Sequence, residues 1–209
     1  MILFHYCAEN DLCKINDMLM YMDNLIIVRH SETNCSPDLY KGHSEYEVSE
    51  YGHDLIEELK RNLRAVDYGI ESIYSSDLNR AKVTADGIDE VYNVGVQKDN
   101  RLREIDFGDF TGKTSDDVQE FSKSPYENPY PNGESISELN DRVRDFYDEV
   151  IKGSSGIQLV VTHTYPIYWF MTNFYGEEPM NLQMNILNCQ TFKFDYPEVT
   201  TITPEYSVS

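Results

Sequence analysis

The sequence predicts an α/β protein, a three-layer α/β/α sandwich built around a mostly parallel sheet. Two short apolar runs, "LIIV" at 25–28 and "LVV" at 159–161 within "GIQLVVTHT", read as strands covered on both faces. Between and after them, apolar stripes at three- and four-residue spacing alternate with further strand-like runs, the order that βαβ units produce. At 209 residues and 40% hydrophobic content, one ordinary domain with a sizeable core accommodates all of them.

Taken in order, residues 1–23 open with an apolar stretch that lacks a basic start and is interrupted by acids. They are expected to be an N-terminal extension, neither signal peptide nor membrane helix. The domain is placed at 24–196 and begins with a strand at 24–28, followed by a polar loop to about residue 47. Over 49–66, Leu55, Ile56, Leu59, Leu63 and Val66 form one apolar helix stripe. "SIYSS" is a second strand, and "DLNRAKVTADGIDEVY" a helix with Asp77 as its N-cap or first-turn acid. A short strand near 94–97 leads to "RLREIDFGDFTGK". The Ser-, Pro- and Asn-rich "SKSPYENPYPNGES" is a loop, after which Ser135 and Glu138 form a capping box opening a helix that buries Leu139, Val143, Phe146 and Val150. "GIQLVVTHT" is the second buried strand, Pro166 fits the first turn of a helix, "CQTFKFDY" is the last strand, and 197–209 reads as a polar tail.

Charge and cysteines narrow the partners. With 37 acidic against 17 basic residues, the formal charge of -20 would repel nucleic acid and anionic membrane surfaces, so neither is expected as a partner. Cys7, Cys13, Cys35 and Cys189 show no C-x-x-C spacing, which points to free thiols in a reducing, cytoplasmic compartment. His5, His43 and His53 have no metal-ligand spacing and read as surface residues. "GDFTGKT" mimics the end of a phosphate-binding loop, but Gly108 is one residue too near Gly112, Lys113 and Thr114, and no buried strand precedes it.

In an open parallel sheet, ligands bind beyond the carboxyl ends of the strands. Arg29 and His30 end the first buried strand, His163 ends "LVVTH", and Arg80 lies one helical turn past "SIYSS". Two guanidinium forks match phosphate oxygens, and two imidazoles beside them offer a nucleophile and a further donor.

The segments "LIIVRHSETN", "YSSDLNRAKVTA", "RLREIDFGDFTGK", "PNGES" and "VVTHT" resemble, in order and spacing, the histidine phosphatase superfamily with its phosphoglycerate mutase-like fold, over residues 24–196. The resemblance implies that His30 accepts the phosphoryl group, that Arg29, Arg80 and His163 complete the phosphate pocket, and that Glu104 is the proton donor, protonated when substrate binds. It also implies a small phosphorylated substrate, no cofactor and no metal. Arginines can supply the positive charge that phosphoryl transfer needs, and His30 must be neutral, oriented through its second nitrogen by a backbone carbonyl.

The chain departs from the family pattern at three positions. Ser31 and Thr164 stand where the family usually has glycine; both are small and could donate a hydroxyl to phosphate, while a side chain at a close-approach position could also narrow the pocket. Ser36 stands where many relatives carry asparagine, and could bond a phosphate oxygen at shorter reach. "YKGHSEYEVSEYG" resembles the loop after the nucleophile, with Gly42 allowing backbone to approach the ligand. The short path from "RLREIDFGDFTGKTSDDV" to "PNGES" resembles the compact phosphatase branch, so hydrolysis is expected. Mutase-type transfer and a non-catalytic phospholigand-binding domain are the alternatives. A lid is expected over 115–132.

Overall fold

The computed structural model describes residues 24–114, 116–118, 125–175, 186–195 and 198–202; the expected extension at 1–23 and part of the expected lid lie outside them. The described strands form one six-stranded sheet in the order β3-β2-β4-β1-β5-β6. They are β1 (Leu25–Arg29), β2 (Ile70–Ser75), β3 (Val96–Lys98), β4 (Ile157–Thr162), β5 (Thr191–Asp195) and β6 (Glu198–Ile202). The first four are mutually parallel; β5 and β6 close one edge antiparallel. The sheet therefore continues past residue 196: the stretch expected to be a polar tail contributes β6, which pairs with β5 from Glu198 opposite Asp195 to Ile202 opposite Thr191.

Both faces of the sheet are covered, as the unbroken apolar runs require. Ile26, Val28, Leu159 and Val161 point to the face packed by α1 (Glu50–Val66) and α2 (Asn79–Tyr92), through Leu55, Ile56, Leu59, Leu63, Ala81, Ala85 and Ile88. Leu25, Ile27 and Val160 point to the opposite face, with α3 (Ile136–Phe146) and α4 (Thr164–Tyr175). Leu63 is 1% exposed, so its replacement by alanine would cost about 2–5 kcal/mol.

The helix ends follow their sequence signals with one exception. Ser49 caps α1 by accepting from the Gly52 amide, and both halves of the Ser135–Glu138 capping box are formed at α3. Asp77, expected to cap α2, instead pairs with Arg103, Nε to Oδ1 at 2.7 Å and Nη2 to Oδ2 at 2.6 Å, and α2 starts without a side-chain cap. A bidentate guanidinium is the stronger partner for that carboxylate. Beyond Phe146 the winding widens to a π-helical turn over Tyr147–Ile151. The extra residue in that turn brings Tyr147 and Ile151 into the core and leaves the expected Val150 only partly buried. Among the described residues, no helix is long and apolar enough to cross a membrane.

Candidate active site

Register places the two histidines together. β1 and β4 are adjacent and in phase, Arg29 opposite Thr162, so the next residues, His30 and His163, emerge side by side at the carboxyl edge. The His30 amide donates to Thr162 O at 2.9 Å, and the ring centroids are 4.9 Å apart. β2 flanks β4 on its other side, and the turn after it delivers Arg80 in the first turn of α2.

His30 is 3% exposed, and its Nδ1 lies 2.6 Å from Ser31 O. A carbonyl only accepts, so Nδ1 carries the hydrogen and Nε2 keeps a free lone pair. Burial, then the charges of Arg80 and Arg29, hold His30 well below the usual histidine range, so the ring is neutral. His163 is driven the same way, first by burial and then by Arg80. Neither of its ring nitrogens has a hydrogen-bond partner among the described residues, and the same holds for Nε of Arg80. Buried polar atoms of this kind mark where a ligand's oxygens are accommodated.

Arg80 is 1% exposed and its fork is pinned from one side, Nη1 donating to Ser44 O at 2.9 Å and Nη2 to Gly42 O at 2.8 Å. Three of its five donor hydrogens stay available. The Ser31 amide donates to Thr84 Oγ1, whose hydroxyl donates to Arg80 O, which ties the nucleophile's neighbour to the Arg80 turn. Arg29 donates from Nη1 to Ile186 O.

Glu104 lies at the amino end of α4. Its Oε1 accepts the amides of Ile105 and Tyr165 at 3.1 Å each, and Oε2 accepts that of Thr164 at 3.2 Å. The helix N-terminus and these amides favour negative charge at this position. The Glu104 loop is itself clamped by Arg142, which donates to the carbonyls of Arg101 (2.6 Å), Arg103 (2.8 Å) and Glu104 (3.0 Å) and pairs with Glu134. Glu134 Oε1 also accepts the Asp106 amide at 2.9 Å. Gly133 permits this approach, since a Cβ there would sit 2.3 Å from Asp106 O.

Two cavities share Arg29, His30, Pro37 and Lys41. One, of about 290 Å³, also takes in Arg80, Glu104, Thr164, Tyr40, Phe107 and Tyr165; the other, of about 310 Å³, reaches Glu32, Thr33, Cys35 and Asn188. The first cavity thus gathers Arg29, His30, Arg80, Glu104 and Thr164 around it; His163 is fully buried, lines neither cavity and stands directly behind, its ring against that of His30. Two expected residues stand elsewhere. Ser36 is exposed, gives its hydroxyl to Asp38 at 2.8 Å and lines neither cavity. Gly42 lines neither: its φ of 47° turns the chain so that its carbonyl orients Arg80, and a Cβ there would sit 2.8 Å from Thr111 Oγ1. Ser31 neither donates to the phosphate pocket, as expected of its hydroxyl, nor narrows it; it is fully buried, and its hydroxyl donates to Gly52 O at 2.6 Å, away from the cavities.

Sequence reasoning passed over Lys41, which lines both cavities and has Ser36 O as its hydrogen-bond acceptor at 3.1 Å. Burial, with Arg29 and Arg80 adding, holds its ammonium below the usual lysine range. Its signal was its position just before Gly42 in the loop after the nucleophile. Arg142 and Glu134 were also missed; only the "PNGES" segment hinted at them. His43, read as a surface residue, is half-buried, with Nε2 2.8 Å from Glu104 O.

A buried neutral histidine with one free nitrogen, ringed by two guanidinium groups and a second imidazole and faced by a carboxyl group, defines a phosphoryl-transfer site. The chain belongs to the histidine phosphatase superfamily, branch 1, whose family model matches residues 25–203. It is similar to phosphoserine phosphatase 1 of Hydrogenobacter thermophilus, 33% identical over 156 residues that cover 70% of this chain and 73% of that protein. A 2,3-bisphosphoglycerate-dependent phosphoglycerate mutase of Brucella ovis is 29% identical over 140 residues, covering 61% and 68% of the two chains. Among solved structures, Bacillus stearothermophilus YhfR shares the fold with a TM-score of 0.71 at 24% identity, covering 89% of this chain and 98% of that one.

Proposed function

We propose that this phosphomonoesterase hydrolyses a small phosphate ester through a phosphohistidine on His30, without a metal ion. The observation that carries the reading is the His30 ring, buried, neutral and fixed by Ser31 O so that Nε2 is the nucleophile. Nε2 attacks phosphorus in line, and the bond to the leaving oxygen breaks with its electron pair going to that oxygen. Glu104, in its acid form, protonates the departing alkoxide. Arg29, Arg80 and His163 donate to the equatorial oxygens, where charge is spread in the transition state. Water then enters; the Glu104 carboxylate takes its proton as the new P–O bond forms and the P–N bond breaks, releasing phosphate and neutral His30. The aromatic wall of Tyr40, Phe107 and Tyr165 flanks the leaving group. Relatives named for phosphoserine hydrolysis support a small phosphorylated substrate. Cys35 and Cys189 form no disulfide among the described residues, and the proposed compartment is the cytoplasm.

The test is turnover of p-nitrophenyl phosphate with a chelator present, with and without His30→Ala. The expected result is turnover that the chelator leaves intact and the substitution abolishes; equal rates for the two proteins, or none in either, would support a binding domain instead. The mutase relatives support a second reading, phosphoryl transfer between positions of one substrate. Isomerisation that depends on a bisphosphate primer would establish it.

A further inference from the structure

We infer that His43 is a positioning residue that ties the phosphate-clamping Arg80 to the proton-donating Glu104, an inference that rests on the phosphatase reading above. Residues 42–44 run between the two. The carbonyls on either side of His43, those of Gly42 and Ser44, accept the two terminal nitrogens of Arg80 at 2.8 and 2.9 Å. The His43 side chain bonds in the other direction, Nε2 lying 2.8 Å from Glu104 O. That oxygen can only accept, so Nε2 carries the hydrogen. Nδ1 faces Asp106 Oδ2 at 3.7 Å.

Asp106 is in turn part of the same loop, its amide held by Glu134 at 2.9 Å and its Oδ1 accepting the Gly108 amide at 2.9 Å. The left-handed turn at Gly42, φ 47°, brings the chain so close to the Glu104 loop that a Cβ there would lie 3.4 Å from Phe107 N and 3.6 Å from Ile105 O. Glu104 O therefore receives donors from two elements, Arg142 of α3 at 3.0 Å and His43 at 2.8 Å. His43 is the donor that belongs to the loop holding Arg80. A phosphate that settles on Arg80 is thereby kept at a fixed distance from the acid. Proton delivery falls off steeply when the donor is displaced by even a fraction of an ångström to one ångström.

The experiment compares two esters. p-Nitrophenolate leaves with little protonation, whereas the alkoxide of glycerol 2-phosphate requires it. His43→Leu removes the donor, His43→Met removes it in a second side chain of similar size should the first variant misfold, and His43→Gln restores an N–H. The expected result is a loss of kcat/KM, which covers the steps up to phosphorylated His30 and so leaves out the base step common to both esters: about tenfold on glycerol 2-phosphate, below about threefold on p-nitrophenyl phosphate, with recovery in His43→Gln. Equal losses on both esters, no loss on either, or no recovery with glutamine overturns the inference. Glu104→Gln is the control: a loss of kcat/KM that does not depend on the ester removes Glu104 as the acid, and so overturns the underlying assignment and not merely the role of His43.

Discussion

The imidazole rings of His30 and His163 lie side by side, centroids 4.9 Å apart and planes tilted by 53°, at the ends of two adjacent parallel strands. Both are buried, and Arg80 and Arg29 bear on both. Two protonated rings at that distance beside two arginines would repel strongly, so neutrality of the pair is a condition of the fold as much as of the chemistry.

That condition makes stability depend on pH. Unfolded, each histidine binds a proton near pH 6.5; folded, each does so only at lower pH. Between those values the unfolded chain holds more protons, so the contribution is complete above about pH 6.5 and is lost as pH falls through the folded values. The slope is about 1.4 kcal/mol per pH unit for each histidine in that window. Urea unfolding at pH 7.5 and 5.5 measures it, and His163→Asn should reduce the slope by about half. Identical slopes in the two proteins would contradict this account.

Ser31 is expected to matter for stability and not for turnover. Its buried hydroxyl bonds Gly52 O at 2.6 Å, anchoring the first turn of α1 to the nucleophile's strand end. Ser31→Ala should cost about 1 kcal/mol, a fall in Tm of about 2–4 °C, with kcat within about twofold of the parent. A gain in activity on removing the side chain would mean that it crowds the pocket after all.

Lys41 is the third cation of the cavities, and its ammonium already lies below the ordinary lysine range through burial and the two arginines. Lys41→Met should raise KM about tenfold, the size of a lost charge-assisted hydrogen bond, with a smaller effect on kcat. In the parent protein KM should also rise with pH before the usual lysine value of 10.5 is reached, as the charge is lost, and that alkaline limb should vanish in Lys41→Met. An unchanged limb would place the titration on another group.

Much of this was legible in the sequence because it is written locally. The apolar runs of β1 and β4, the α1 stripe, the Ser135–Glu138 box and the strand-end placement of Arg29, His30 and His163 each depend on a few neighbouring residues. What escaped depends on distant pairing. Asp77 carries the composition of a cap, yet Arg103, 26 residues on, outcompetes the helix amides. Ser36 and Gly42 fit a pattern of spacing, but the loop that holds them turns their side-chain positions away and presents Lys41. The π turn after Phe146 shifts the buried set by one residue, from Val150 to Ile151, which a 3.6-residue period cannot foresee. β6 reads as part of a polar tail, although Val199, Thr200, Thr201 and Ile202 are β-branched; its pairing with the edge of β5 makes it a strand. Arg142 reads as a solvated helix residue until the carbonyls of the Glu104 loop are in place around it.

The central claim is that His30 becomes covalently phosphorylated. Rapid-quench labelling with a 32P-labelled phosphate ester, followed by treatment at acid and at alkaline pH, tests it most directly. The account requires a burst of label that is acid-labile and base-stable, that maps to His30, and that is absent from His30→Ala. Label that persists undiminished in that variant, or turnover with no trapped phosphoryl group on the time scale of a single cycle, would contradict it.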